Sequence, residues 1–136
     1  MLKELIDSGY GDGLNCAEKI IRGANEVYGM GLDENATRLM AGFGGGLAIG
    51  ATCGALCGAM GVISHMFVKD DAHKSDMLKL ISKEFLLKYQ QKMGGLDCKY
   101  LKDRYFEEAT GCTFIISTAA DLLDELVQKY DAHRVR

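Results

Sequence analysis

The sequence predicts an all-α fold: a single compact bundle of five to seven helices around a glycine-rich central helix. Three observations carry that expectation. The 136 residues contain no proline and no tryptophan, and alternating β-branched runs are few, which favours helix over sheet. Most segments repeat their apolar residues at three- and four-residue spacing, the period of a helix with one buried face. Gly42, Gly46, Gly50, Gly54 and Gly58 recur at every fourth position in a run without charge. On a helix that spacing bares one side, so that another backbone can approach closely. A chain of this length can bury a proper core, and with no repeat and no linker, residues 1–136 form one expected domain.

The elements follow in order. Leu2, Leu5 and Ile6 share one face of a short helix over 1–7, and Ser8 to Gly13 is a glycine-punctuated loop. Asn15 followed by Glu18 makes a capping box, which opens a helix from Cys16 to Tyr28 with Ile20, Ile21, Ala24 and Val27 inward. Gly29 and Gly31 end it. Asp33 caps a helix from Glu34 to about Gly42, with Leu39 and Met40 facing the core. Gly44-Gly45-Gly46 is too permissive for a helix interior and forms a turn. The central helix is expected from Ile49 to near Phe67, with its thiols near the start.

The charged run Lys69–Lys74 is a solvated turn. Ser75 caps a long amphipathic helix from Asp76 to Met93, its apolar side made by Met77, Leu78, Ile81, Phe85 and Tyr89. Gly94 and Gly95 stop it. Asp97 caps a short helix from Cys98 to about Tyr105. The last helix starts near Cys112 and buries Ile115, Ala119, Leu122, Leu123 and Leu126. The polar tail from Asp131 to Arg136 is expected to fray.

Charge and hydropathy narrow the function classes. A net charge of −3 offers no electrostatic case for nucleic acid or an anionic membrane. Leu39 to Ser64 is uncharged and long enough to span a bilayer, yet it holds eight glycines and few large aliphatic side chains, so no span is expected. The opening MLKELIDSGYGDG lacks the apolar core of a signal peptide. A reducing cytoplasm is the expected compartment, where cysteines serve metal or redox chemistry more often than structural bridges.

Five cysteines are a dense supply, and an odd count rules out full pairing. Cys16 follows Asn15, Cys53 follows Thr52, Cys98 follows Asp97 and Cys112 follows Gly111. Each preceding residue is an acceptable N-cap, which puts each thiol in the first turn of a helix. There the free N–H groups and the dipole favour a thiolate, the form that attacks disulfides and binds metal. A buried cysteine can also be a small apolar side chain, but four at helix starts are harder to ascribe to packing.

The run Cys53-Gly54-Ala55-Leu56-Cys57-Gly58 resembles the CGAxxG motif of the C-GCAxxG-C-C family of redox-active proteins. That family carries four recurring cysteines, one early, one in the motif and two in the C-terminal half. Cys16, Cys53, Cys98 and Cys112 fall in that order, and the resemblance runs from about Asn15 to Val127. It implies a redox activity borne by these four residues. A similar domain in split-Soret cytochromes implies that they can hold an iron–sulfur centre. Cys57 occupies a variable position of the motif and is not carried over.

Two mechanisms fit the constellation. The four cysteines could converge to ligate a [2Fe–2S] cluster or a single metal ion. Alternatively Cys53 is an activated nucleophile and a partner cysteine, such as Cys16 or Cys112, resolves the mixed disulfide. The partner would be a redox protein or a small thiol or disulfide. Cys53 and Cys57, four apart on a helix, have Cβ atoms about 5–6 Å apart, too far for an unstrained bridge. The competing class is a non-catalytic binding or assembly module, a homodimer through the glycine face, with structural cysteines.

Other patterns carry less. The Gly42-Phe43-Gly44-Gly45-Gly46 run has no Lys-Ser or Lys-Thr after it and no strand before it, so a tight turn is favoured over a phosphate loop. Cys53-x-x-x-Cys57 is similar to the start of a radical-SAM cluster motif, but Met60 stands at the third position. His65 is expected as a core or interface residue. His73 and His133 lie in polar surroundings, and Glu107 and Glu108 make no acid–base pair.

Overall fold

Side chains of Asn15 and Asp33 cap the helices that begin at Cys16 and Glu34, and left-handed glycines close the two long amphipathic helices that end at Tyr28 and Met93. The computed structural model describes residues 1–135. Seven α-helices run as α1 (Leu2–Asp7), α2 (Cys16–Tyr28), α3 (Glu34–Thr37), α4 (Gly54–Phe67), α5 (Asp76–Met93), α6 (Cys98–Tyr105) and α7 (Thr113–Lys129). Short turns of tighter helix join them, and the described residues hold no strand beyond two isolated β-bridges. The fold is all-α.

The capping box at α2 forms as its sequence predicts. The Asn15 side chain accepts from the Glu18 N–H (2.9 Å), and the Glu18 carboxylate accepts from the Asn15 N–H (3.0 Å). The Asn15 amide also donates to the Ala41 carbonyl (2.9 Å), which ties the segment before α4 to the start of α2.

The stretch between α3 and α4 departs from expectation. The α-helix ends after one turn at Thr37, and Arg38–Phe43 continues as a 3-10 helix. With three residues per turn the side chains leave the 3.6-residue register. Leu39 consequently points to solvent, 73% exposed, and only Met40 packs partly against the core. The central helix begins at Gly54 and not at Ile49. Residues 46–50 wind through left-handed backbone at Gly46, Leu47, Ala48 and Gly50, a conformation that cannot continue into a right-handed helix. A Cβ at Gly46 would lie 2.5 Å from that of Cys98, so the site needs glycine.

The four-residue glycine spacing therefore acts as a helix face only at its C-terminal end. A Cβ at Gly58 would stand 2.8 Å from the Ala17 carbonyl oxygen and 3.0 Å from the Ile20 Cβ. One at Gly54 would stand 2.9 Å from the Phe43 carbonyl and 3.4 Å from the Ala17 nitrogen. The bare side of α4 is thus occupied within the chain, by α2 and the end of the 3-10 segment.

Around this seam lie fully buried Ile20, Leu56, Ile63, Met66, Ile81, Phe85, Tyr89, Ile115, Leu123 and Leu126. Each such large side chain contributes roughly 1.5–3 kcal/mol over leaving it in water. The Asp124 carboxylate on α7 accepts from the Leu2 and Lys3 N–H groups (2.8 and 3.0 Å) and from the Tyr28 hydroxyl (2.6 Å). It satisfies donors that the first turn of α1 leaves open. Two further expectations are corrected. Ser75 makes no side-chain cap; its hydroxyl accepts from the Lys69 N–H (2.6 Å) and closes the preceding turn. The tail is docked, because Arg134 donates to the Tyr28 carbonyl (2.6 Å) and the Val135 N–H to that of Met66 (2.7 Å); Arg136 lies outside the described residues. Among the described residues no helix is long and apolar enough to cross a membrane.

The seam has a direct test. Gly58→Ala should cost about 1–3 kcal/mol, because α2 must move aside, whereas Gly42→Ala meets nothing within 4 Å and should stay within about 0.5 kcal/mol of the parent. Urea midpoints of the two variants check this.

Candidate functional site

Four helix starts meet at one place. Cys16 and Cys98 are the first residues of α2 and α6, as expected. Cys53 and Cys112 sit one position earlier, as the N-cap residues of α4 and α7. Thr52 and Gly111 are therefore not caps. Both are taken up by backbone pairing, Thr52 with Asp97 and Gly111 with Glu107 in antiparallel bridges.

The Thr52–Asp97 bridge positions two thiols. The Cys53 N–H donates to the Leu96 carbonyl (2.9 Å), and the Cys98 N–H donates to that of Ala51 (2.6 Å). In this register Cys53 and Cys98 are diagonal neighbours on one face. Such neighbours lie about 7–8 Å apart, while a disulfide wants Cβ atoms about 3.8 Å apart. The bridge brings the two cysteines to one face, and both are free thiols.

Cys16, Cys53, Cys98 and Cys112 all line one cavity of about 260 Å³, with Lys19, Lys102, Leu101, Ile115 and Ile116 among its other walls. Cys57, one turn into α4, lies outside it. All five cysteines are free thiols. His65 is hydrogen-bonded to the Met30 carbonyl (3.0 Å) and is remote from this wall. A larger, more open groove between α1, α5 and α7, lined by Asp7, Lys92, Tyr105 and Asp121, contains no thiol.

The thiols are not equivalent. Cys16 and Cys112 are the two sulfurs that act most strongly on one another. The Cys16 S–H donates to the Cys112 sulfur, which holds Cys112 below the usual thiol range; Lys102 and Lys19 add to this against the effect of burial. The same bond, with burial, keeps Cys16 protonated far above that range. Burial pushes Cys53 up to about 11, although the Ala55 and Leu56 N–H groups favour its thiolate. The expectation that every helix start would yield a thiolate thus fails at Cys16 and Cys53. Loss of water at a buried sulfur outweighs the helix-end field. Burial also raises Cys57.

Lys19 and Lys102 are the residues that sequence reasoning missed. The signal was available: Lys19 lies three residues after Cys16 and Lys102 four after Cys98, which puts each lysine on its cysteine's helix face.

A family model described as "Putative redox-active protein (C_GCAxxG_C_C)" matches residues 14–126. The chain belongs to this family. The matched span includes all four cysteines of the cavity, so the family's redox description and the convergence of sulfurs fall on the same residues. No curated protein and no solved structure matches the chain.

The donor set has the soft-sulfur chemistry of metal and iron–sulfur ligation. Among the described residues no group of three or more His, Cys, Asp or Glu side chains is found disposed to hold a metal ion.

Alkylation of the reduced protein tests the inequality of the thiols. Cys112 should react first at pH 7, and its rate should fall only as pH drops below the usual thiol range of about 8.5. Cys16→Ala removes the donated hydrogen bond and should move that inflection upward. Mass mapping of the labelled cysteine at each pH checks both points.

Proposed function

We propose that the protein exchanges disulfides at this cavity, with Cys112 as the attacking thiolate and Cys16 as the resolving thiol. The observation that carries the reading is the meeting of Cys16 and Cys112, both only partly buried, on one cavity wall with two lysines. Cys112 attacks a substrate disulfide; a Cys112–sulfur bond forms as the substrate S–S bond breaks. The expelled thiolate takes the Cys16 proton. Cys16 then attacks the Cys112 sulfur and releases the second substrate thiolate. Two electrons pass from the pair to the substrate, leaving a Cys16–Cys112 disulfide.

The hydrogen bond also times the second step. While Cys112 is a thiolate, the Cys16 proton is held by it. Once that sulfur is tied in a mixed disulfide, it loses its charge and its claim on the proton. Lys19 and Lys102 then face the new thiolate. This reading moves the nucleophile from Cys53 to Cys112, because the buried Cys53 resists ionisation. It requires a reducing compartment such as the cytoplasm, where a partner regenerates the dithiol. The assembly-module alternative would draw on the glycine side of α4, which α2 covers.

The four-sulfur wall also favours a second reading, an iron–sulfur cluster held by Cys16, Cys53, Cys98 and Cys112. One preparation separates the two. Protein purified without air should be colourless and iron-free, and a small disulfide should convert it to a form lighter by about 2 Da, one internal bridge. Cys112→Ser should abolish the conversion, and Cys16→Ser should stop it at a mixed disulfide. A brown protein with stoichiometric iron would replace this reading by the cluster.

A further inference from the structure

Among the described residues lining the cavity, Lys19 and Lys102 are the only cationic side chains, and the Cys112 sulfur they act on is the only anionic group there. Neither has an ion-pair partner. They reach the space from different helices, α2 and α6, and no carboxylate lies on the wall to neutralise them. Two ammonium groups beside a single thiolate leave this wall net positive, an arrangement that favours a further anion. The rest of the wall, with Leu14, Leu101, Ile115 and Ile116, suits short methylene segments.

Size narrows the ligand further. At about 260 Å³ the cavity falls below the roughly 300–1,000 Å³ of sites for drug-sized ligands. We propose that the cavity admits small disulfides bearing negative charge beside the sulfur–sulfur bond, with Lys19 and Lys102 pairing those charges while Cys112 attacks. This rests on the disulfide-exchange reading and names its substrate class. In water a thiolate and an anionic disulfide repel one another. The two lysines remove that penalty and take up the charge that builds on the departing sulfur.

Three reagents of similar length test the idea: 3,3′-dithiodipropionate (dianion), bis(2-hydroxyethyl) disulfide (neutral) and cystamine (dication). Oxidation of the reduced full chain is followed by acid quench and mass spectrometry. Each rate is divided by that of the same reagent with 2-mercaptoethanol, which cancels intrinsic reactivity. The dianion should lead the dication by about tenfold or more at low salt, and the gap should narrow as salt rises. In the Lys19→Gln/Lys102→Gln double variant the ratio of dianion to neutral reagent should collapse towards one.

Equal normalised rates for all three reagents would overturn the inference while leaving disulfide exchange standing. So would a double variant in which all three rates fall by the same factor, since the lysines would then act on the nucleophile alone. Failure of all three reagents to oxidise the wild-type chain would remove the exchange reading, and this inference with it.

Discussion

The close approach of α2 and α4 is the constraint on which the rest of the structure depends. The two helices meet where Gly58 faces Ala17 and Ile20 at distances that leave no room for a Cβ, with Gly54 in contact with Ala17 and pressed against the Phe43 carbonyl. Cys16 immediately precedes Ala17, and Cys53 immediately precedes Gly54. The contact that packs the core therefore also fixes two of the four sulfurs. The backbone bridge from Thr52 to Asp97 extends this frame to Cys98, and α7, packed against α4 and α2, brings Cys112.

Convergence of helix starts does not make four equal thiolates. Each N-terminus offers N–H groups and a positive dipole end worth only about 0.3–1 kcal/mol at an exposed site. A single unit of pKa shift corresponds to about 1.4 kcal/mol, so burial readily wins at Cys53. Cys112 escapes because a neighbouring S–H and two ammonium groups act on a sulfur that is only partly buried. One charge shared by a hydrogen-bonded pair is a cheaper arrangement than four charges crowded in one hollow.

Much of this was legible in the chain. The capping box places α2, and apolar periodicity with bounding glycines places α5, α6 and α7 almost to the residue, since those signals act locally. The ordered cysteines, each at or beside a cap, anticipate the shared cavity. What was not legible lies between Arg38 and Ala51. There a regular glycine spacing mimics a helix face, while Gly46 lies against Cys98, some fifty positions away in sequence, and Leu47 and Ala48 after it take left-handed backbone. The cap assignment at Thr52 failed because the distant Asp97 pairs with it, and that at Gly111 because a local turn pairs it with Glu107.

The docked end of the chain has a mechanical consequence. Arg134 holds the last turn of α2 through the Tyr28 carbonyl, and Val135 holds that of α4 through Met66. These two helices are thereby bolted together at both extremities, by glycine contact beside the sulfurs and by the clasp at the far end. The hollow's third wall, α6, is fastened to the same frame by the two backbone hydrogen bonds at Cys53 and Cys98 and by Leu101, which is fully buried.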